Sequence, residues 1–268
     1  MNKYTNIITL DKNSRGVYGL DTLKGCSGGL NAKYTEYPCS MFNLTYETKR
    51  DKGCYGLCYA CKIAKFRGYD FRKVEKRYFK DDKHLALIGK KLSKLEFIRI
   101  GVSCDPSDDW EHTLDIVDKI RPYIKNIVII TKHWNRLTYK QCLRLKGLCV
   151  NTSISALDTQ LERDNRLFWY NKLKEFCTSV LRVNTAKYNC SLLNELQDKL
   201  LSNKNIIDNV LRFTKGHELI KNGIVKVQEV EFLNGKALAS KNSERVFFGY
   251  CKDCDVKCGI SYMAYSKE

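Results

Sequence analysis

The sequence predicts an α/β fold on a parallel sheet, and two observations carry that expectation. Short apolar or β-branched runs alternate with longer charged segments of helical period, five or six times along the chain. Only three prolines, no Gly/Ser-rich stretch and no fixed-period repeat interrupt 268 residues, a length that suits one principal domain. With 43% hydrophobic and 29% charged residues the chain falls among folded globular proteins rather than disordered or fibrous ones.

The predicted strands follow in order: "SMFNLTYE" at Ser40–Glu47, "FIRIGVS" at Phe97–Ser103, "NIVIIT" at Asn126–Thr131, "LCVNTSIS" at Leu148–Ser155, "SVLRVNT" at Ser179–Thr185 and "IIDNVLRFT" at Ile206–Thr214. Helices are expected between them. "DDWEHTLDIVDKIRPYI" places Leu114, Val117, Ile120 and Ile124 on one face, with acidic residues first and basic residues last. "DTQLERDNRLFWYNKLKEF" offers Asp158 as a cap and an apolar face of Leu161, Leu167, Leu173 and Phe176. These runs suit an open doubly wound sheet and a barrel equally.

No stretch approaches the roughly 18 consecutive apolar residues of a membrane span, so no membrane partner and a cytoplasmic location are expected. Thirteen cysteines in a reducing compartment argue against a disulfide framework and for metal ligation or redox chemistry. The net charge of +17 suggests a polyanionic partner, RNA or DNA, or equally an AT-biased coding sequence. A basic stretch from Lys62 to Lys83 is either the rim of a site or a solvated face. The four histidines lack the spacings of hydrolytic zinc sites, and no P-loop is present.

In "DKGCYGLCYACKIAKFRG", Cys54, Cys58 and Cys61 follow C-x3-C-x2-C, on a loop placed after the first predicted strand, where parallel strands gather functional groups. Structural zinc takes four protein ligands, and no fourth lies at matching spacing on this loop. Three thiolates fit better an iron–sulfur cubane with one iron left for a non-protein ligand.

This motif resembles that of the radical S-adenosylmethionine (radical SAM) superfamily. The resemblance is specific at the cysteines and extends in topology over about residues 40–215. It implies a partial (β/α)6 barrel over residues 40–220, between an N-terminal extension (1–39) and a cysteine-containing C-terminal extension (221–268). It also implies a 4Fe-4S cluster on Cys54, Cys58 and Cys61, S-adenosylmethionine on the fourth iron, an external electron donor, and radical chemistry on a substrate it does not identify. Family members usually carry an aromatic residue just before the third cysteine; here that residue is Ala60, with Tyr59 before it.

By the same resemblance, "IGVSCDPS" would bring Gly101, Ser103 and Asp105 to the methionyl end of the cofactor. Ser153 and Ser155 in "NTSISALD" would contact the ribose or methionyl group, as in the serine-rich fourth strand of the spore photoproduct lyase branch. An Asp-Pro turn and locally satisfied hydroxyls are the alternatives. Arg182 and Arg212 are charges within apolar strands, facing the cofactor or buried ion-pair partners, and Lys132 ends its strand in a similar position.

Cys251, Cys254 and Cys258 in "FFGYCKDCDVKCGISYMAY" repeat the three-thiol theme as C-x2-C-x3-C. A second metal site is expected there, an auxiliary iron–sulfur cluster or zinc, closed by Cys26, Cys39 or Cys104. The rival class is a non-enzymatic nucleic-acid-binding protein in which zinc staples both cysteine groups.

Overall fold

The computed structural model describes residues 6–28, 35–36, 45–46, 54–233, 235–240 and 247–263. Seven strands form the central sheet: β1 (Leu10–Lys12), β2 (Tyr18–Leu20), β3 (Phe97–Ile100), β4 (Asn126–Thr131), β5 (Cys149–Ser155), β6 (Thr178–Thr185) and β7 (Ile206–Val210). They lie side by side in chain order, antiparallel between β1 and β2 and parallel from β2 onward. The winding never reverses direction along the sheet. The chain is thus mixed α/β with a mostly parallel sheet.

Five of the six expected strands are found within a few residues of their predicted bounds. The expected strand at Ser40–Glu47 lies outside the described residues except for Thr45–Tyr46, which pairs antiparallel with Thr35–Glu36 apart from the main sheet. The first parallel strand is instead Tyr18–Leu20, so the sheet begins inside the stretch expected to be an N-terminal extension. Gly19 permits that pairing, because a Cβ there would collide with the Val102 side chain.

Helices cover one face of the sheet. They are α1 (Tyr59–Phe66), α2 (Asp82–Leu92), α3 (Trp110–Ile120), α4 (Tyr139–Arg144), α5 (Gln160–Leu173) and α6 (Ser191–Leu201). Ile98, Ile100, Ile127, Ile129 and Val150 pack against α2 to α5 through Leu92, Leu114, Val117, Ile120 and Trp169. Ile154, Leu181 and Val183 meet Tyr170 and Leu200. Each such side chain contributes about 1.5–3 kcal/mol of burial. In α3 the apolar face is the expected one, and Asp109 caps it by accepting from the His112 N–H at 3.0 Å.

Helix α5 departs from expectation. Thr159, not Asp158, is its cap, in a reciprocal capping box with Glu162. Its buried face is Trp169, Tyr170 and Leu173, while Leu161 is 80% exposed. Two arginines on the helix, Arg163 and Arg166, are also buried, and they turn it toward Asp158.

The other sheet face alternates with the first, as period-two strands require. Val128, Cys149 and Val180 there pack against Cys258, with Ile207 and Tyr262 partly buried beside them. The C-terminal segment therefore covers this face toward the N-terminal ends of the strands. Before it, Arg212–Phe213, Gly235–Ala239 and Gln228–Phe232 form a small antiparallel sheet in that spatial order.

Candidate metal centre

Cys54, Cys58 and Cys61 sit where a tight turn enters α1. Cys54–Gly56 is a 3-10 turn with Tyr55 and Gly56 both left-handed, at φ 54° and 66°. For tyrosine that conformation is costly and must be held from outside. The anchors are at the ring hydroxyl, which donates to the Asp158 carboxylate and accepts from Lys132 Nζ at 2.6 Å. The turn folds the chain back so that Cys58 occupies the N-cap of α1 without any side-chain oxygen cap. The backbone N–H groups of Cys61 and Ala60 at this helix start oppose the effect of burial on the Cys58 thiol. A helix N-terminus in that position favours negative charge on sulfur.

Cys61 is buried, and Cys54 and Cys58 are half-buried. Cys61 packs with Ala60, Ala64, Phe71 and Cys26, with Cys58 at the margin of that cluster. Burial pushes the Cys54 thiol up to about 11, against the opposing pull of Lys132. Burial likewise raises Cys58. A thiol near 11 is protonated at neutral pH and is a poor nucleophile, so the loop is not built as a reactive-cysteine site.

Beneath the loop lies a buried charge hub. Asp158 accepts from the Ser155 N–H at 2.7 Å, pairs with Arg166, and has Lys132 Nζ at 3.6 Å. Burial alone would raise Asp158, but Arg166 and Lys132 outweigh it and hold the carboxyl at about 2. Burial would lower Arg166, but Asp158 outweighs that and leaves the guanidinium above its ordinary range. His133 lies between Trp110 and Trp169, with ring centroids 5.8 Å from each. Burial, with Arg166 adding, pushes it down to about 3.

Of the cofactor-binding residues expected from the sequence, four are committed within the protein. A Cβ on Gly101, at φ 85°, would meet the Ile130 carbonyl and the Pro106 ring, so packing explains this glycine. Asp105 accepts from Thr131 Oγ1 at 2.6 Å, Lys132 N at 2.7 Å and both Ser107 N and Oγ, tying the loop after β3 to the end of β4. Ser103 bonds Asp21, which also accepts from the Val102 N–H at 2.7 Å. Ser155 donates to the Asn184 carbonyl at 2.9 Å and accepts from the Leu157 N–H.

The other two lie on the sheet face away from the helices, in one polar chain. Asn184 donates to Ser153 Oγ at 2.9 Å, Asn209 donates to Asn184 Oδ1 at 2.6 Å, and Arg182 donates to Asn209. Burial pulls Arg182 down to about 10, with Arg99 and Arg15 adding. Arg212, at the end of the small antiparallel sheet, is exposed and stacks on Phe232 at 4.9 Å. The basic stretch from Lys62 to Lys83 is mostly exposed, and Arg72, Lys73 and Lys76 in it pair with Asp70, Glu75 and Asp109.

The tail thiols gather on the same face, with Cys251 and Cys258 buried. Lys257 and Cys258 are left-handed, at φ 42° and 57°, and the Cys258 carbonyl accepts from Asn151 Nδ2 at 3.0 Å. The expected closing ligands are elsewhere. Cys26 packs beside Cys61; Cys104 adjoins Asp21; Cys39 lies outside the described residues. The thiol that meets the tail is Cys149 of β5, whose sulfur is 3.7 Å from the Cys258 carbonyl. An apolar strand context gave Cys149 no signal beyond that of a core residue.

Among the described residues no three His, Cys, Asp or Glu side chains are drawn together closely enough to hold a single metal ion. A cubane makes a different demand, since each of its ligating sulfurs binds a separate iron and the sulfurs stand farther apart than around one ion. One buried and two half-buried thiols, a helix N-terminus at Cys58 and two nearby cations, Lys132 and Arg166, fit an anionic cluster better than a bare ion. No family model, no curated protein and no solved structure matches this chain. No helix among the described residues is long and apolar enough to cross a membrane.

Proposed function

We propose that the chain is a radical SAM enzyme and that its sheet is the wall of a partial (β/α)6 barrel. The observation that carries this reading is the partly buried C-x3-C-x2-C loop beside the strand ends of an unreversed parallel sheet. Further support comes from the sheet's helices on one face and its polar residues, Ser153, Arg182, Asn184 and Asn209, on the other. When bound, a 4Fe-4S cluster would supply an electron for reductive cleavage of S-adenosylmethionine, and an external donor would reduce it.

The chain's own residues have separable tasks. Cys54, Cys58 and Cys61 would hold the cluster, and the N–H groups of Cys61 and Ala60 at the start of α1 would favour negative charge on the Cys58 sulfur. Tyr55, anchored through Asp158, Lys132 and Arg166, fixes the turn that presents Cys54. Ser153 and Arg182 are the two expected cofactor contacts still turned toward the open face. Cys251, Cys254 and Cys258, with Cys149 as the neighbouring thiol, would form the second centre of this reading, an iron–sulfur cluster and not a single zinc ion, for which these side chains are not drawn closely enough together. RNA or DNA remains the macromolecular partner that the overall charge favours.

Metal identity tests the reading. Anaerobic purification is expected to give a brown protein with iron and acid-labile sulfide in equal amounts, at least about four of each per chain. A colourless protein with stoichiometric zinc and no sulfide would support the zinc-stapled nucleic-acid-binding class instead.

A further inference from the structure

A cavity of about 410 Å³ opens between the sheet face and the C-terminal segment. Its walls carry Arg15, Arg99, Arg182 and Arg212, with Phe232 and Phe247 among the apolar groups, and the C-terminal side of the cavity is lined by Cys251, Cys254 and Cys258, so a ligand here lies against the thiols read above as a second centre. Among the described residues none of these four guanidiniums has a carboxylate partner. They make three hydrogen bonds in all: Arg15 to the Gly249 and Phe247 carbonyls, each at 3.0 Å, and Arg182 to Asn209. Arg99 bonds nothing, and its Nε is shut away from solvent. Lys257, also on the wall, is already neutralised by Glu96 at 2.9 Å. The cavity's carboxylate, Asp208, accepts from Thr185 at its margin.

Four cations drawn together without carboxylate partners of their own repel one another, and the three half-buried ones, Arg15, Arg99 and Arg182, are costly to keep with donors unused. Such an arrangement is complementary to a multiply charged anion, above all to phosphates, whose oxygens match the guanidinium fork. The arithmetic of charge selects further: four arginines less one aspartate leave a surplus of about three, close to the charge of a diphosphate. The aromatic groups add a second element. Arg15 lies over the Phe247 ring at 5.5 Å and Arg212 over the Phe232 ring at 4.9 Å, so flat apolar surfaces flank the cationic centre. The volume falls in the range of small-molecule sites and would not admit a duplex.

We propose that this cavity binds a nucleoside diphosphate or an equivalent pyrophosphate-bearing nucleotide, with the phosphates on Arg15, Arg99 and Arg182 and the base against Phe247 and Phe232. The assignment names a substrate-sized ligand for the open face without resting on the cluster reading. Its test uses neither reductant nor S-adenosylmethionine, so either idea can fail alone.

Isothermal titration of the full-length protein, purified anaerobically, with ADP, inorganic pyrophosphate and adenosine reads the proposal directly. ADP is expected to bind in the micromolar range at low salt and to weaken as salt rises; pyrophosphate binds less tightly, and adenosine shows no heat. Arg99→Gln and Arg182→Gln should each weaken ADP by about tenfold to a hundredfold. Phe247→Ala should weaken ADP and leave pyrophosphate unchanged. Arg99→Gln removes a group that bonds nothing, so its thermal midpoint should not fall and its binding loss cannot be assigned to unfolding. No binding of ADP by the unaltered protein at millimolar concentration would overturn the proposal. So would pyrophosphate binding without ADP binding, or unchanged ADP affinity in the Arg99→Gln, Arg182→Gln double variant.

Discussion

Replacing Cys54, Cys58 or Cys61 singly by Ala is expected to remove most of the iron and to lower S-adenosylmethionine cleavage by more than about a hundredfold. Loss of a residue that merely supports a ligand already costs about ten- to a hundredfold in such sites, and loss of the ligand itself costs more. The fold should survive, because Cys54 and Cys58 are only half-buried and trimming the buried Cys61 sulfur costs about 1 kcal/mol. The informative contrast is Cys26→Ala. Cys26 packs against Cys61 but lies outside the C-x3-C-x2-C loop, and burial raises its thiol well above the ordinary range, so its removal should leave iron and activity in place. A four-thiol zinc site would make Cys26 as necessary as the other three. Metal analysis and 5′-deoxyadenosine formation in the four variants check the prediction, and equal metal loss in all four would reject the three-thiol assignment.

The second large effect concerns stability rather than metal. Asp158→Ala should destabilise the fold by about 3 kcal/mol, because it leaves Arg166, 1% exposed, with the more distant Glu162 at 3.6 Å as its carboxylate partner among the described residues. Tyr55 would lose its anchor at the same time, so the cysteine turn should loosen with it. The pH dependence has a definite sign. Asp158 is held at about 2 when folded, against about 3.9 in an unfolded chain, so its stabilisation is complete above about pH 5 and fades as pH falls toward 2. That contribution is on the order of 2–3 kcal/mol, and Asp158→Asn should flatten the acid limb of the stability curve accordingly. Urea titrations at several pH values measure both quantities. An Asp158→Ala variant as stable as Leu161→Ala, which trims an exposed side chain, would refute the account of the hub.

The contrast between these two sites explains what the sequence could reveal. Strands β3 to β7 were legible because a parallel strand covered on both faces keeps a nearly continuous apolar run, as in "NIVIIT". Strand β2 was not, since "YGL" is three residues long and relies on a glycine for close approach to β3. The cysteine loop was readable because its chemistry depends on local spacing. Ligands brought in by tertiary contact had no such mark, so Cys26 was expected at the tail and stands by the loop, while Cys149 meets the tail unannounced.

Charges inside strands were informative in part. Arg182 stood out between valine and leucine in "VLRVNT", and Arg99 in "FIRI" repeats the same signal from the same sheet face. Asp158 looked like a helix cap because it precedes the helix, but Thr159 had the better capping geometry. That freed Asp158 to meet Arg166, a pairing set by the packing of α5 on the sheet and not by sequence distance. Ser103, Asp105 and Ser155 illustrate the opposite limit. Their residue types suit a cofactor, yet nearby backbone N–H groups and hydroxyls claim them first.

The account turns on whether this chain cleaves S-adenosylmethionine. The deciding measurement is anaerobic incubation of the purified protein with dithionite and S-adenosylmethionine, followed by mass-spectrometric detection of 5′-deoxyadenosine and methionine. The expected result is both products in equal amounts, accumulating with time and absent from the Cys54→Ala protein. Iron-replete protein that leaves S-adenosylmethionine intact would contradict the assignment.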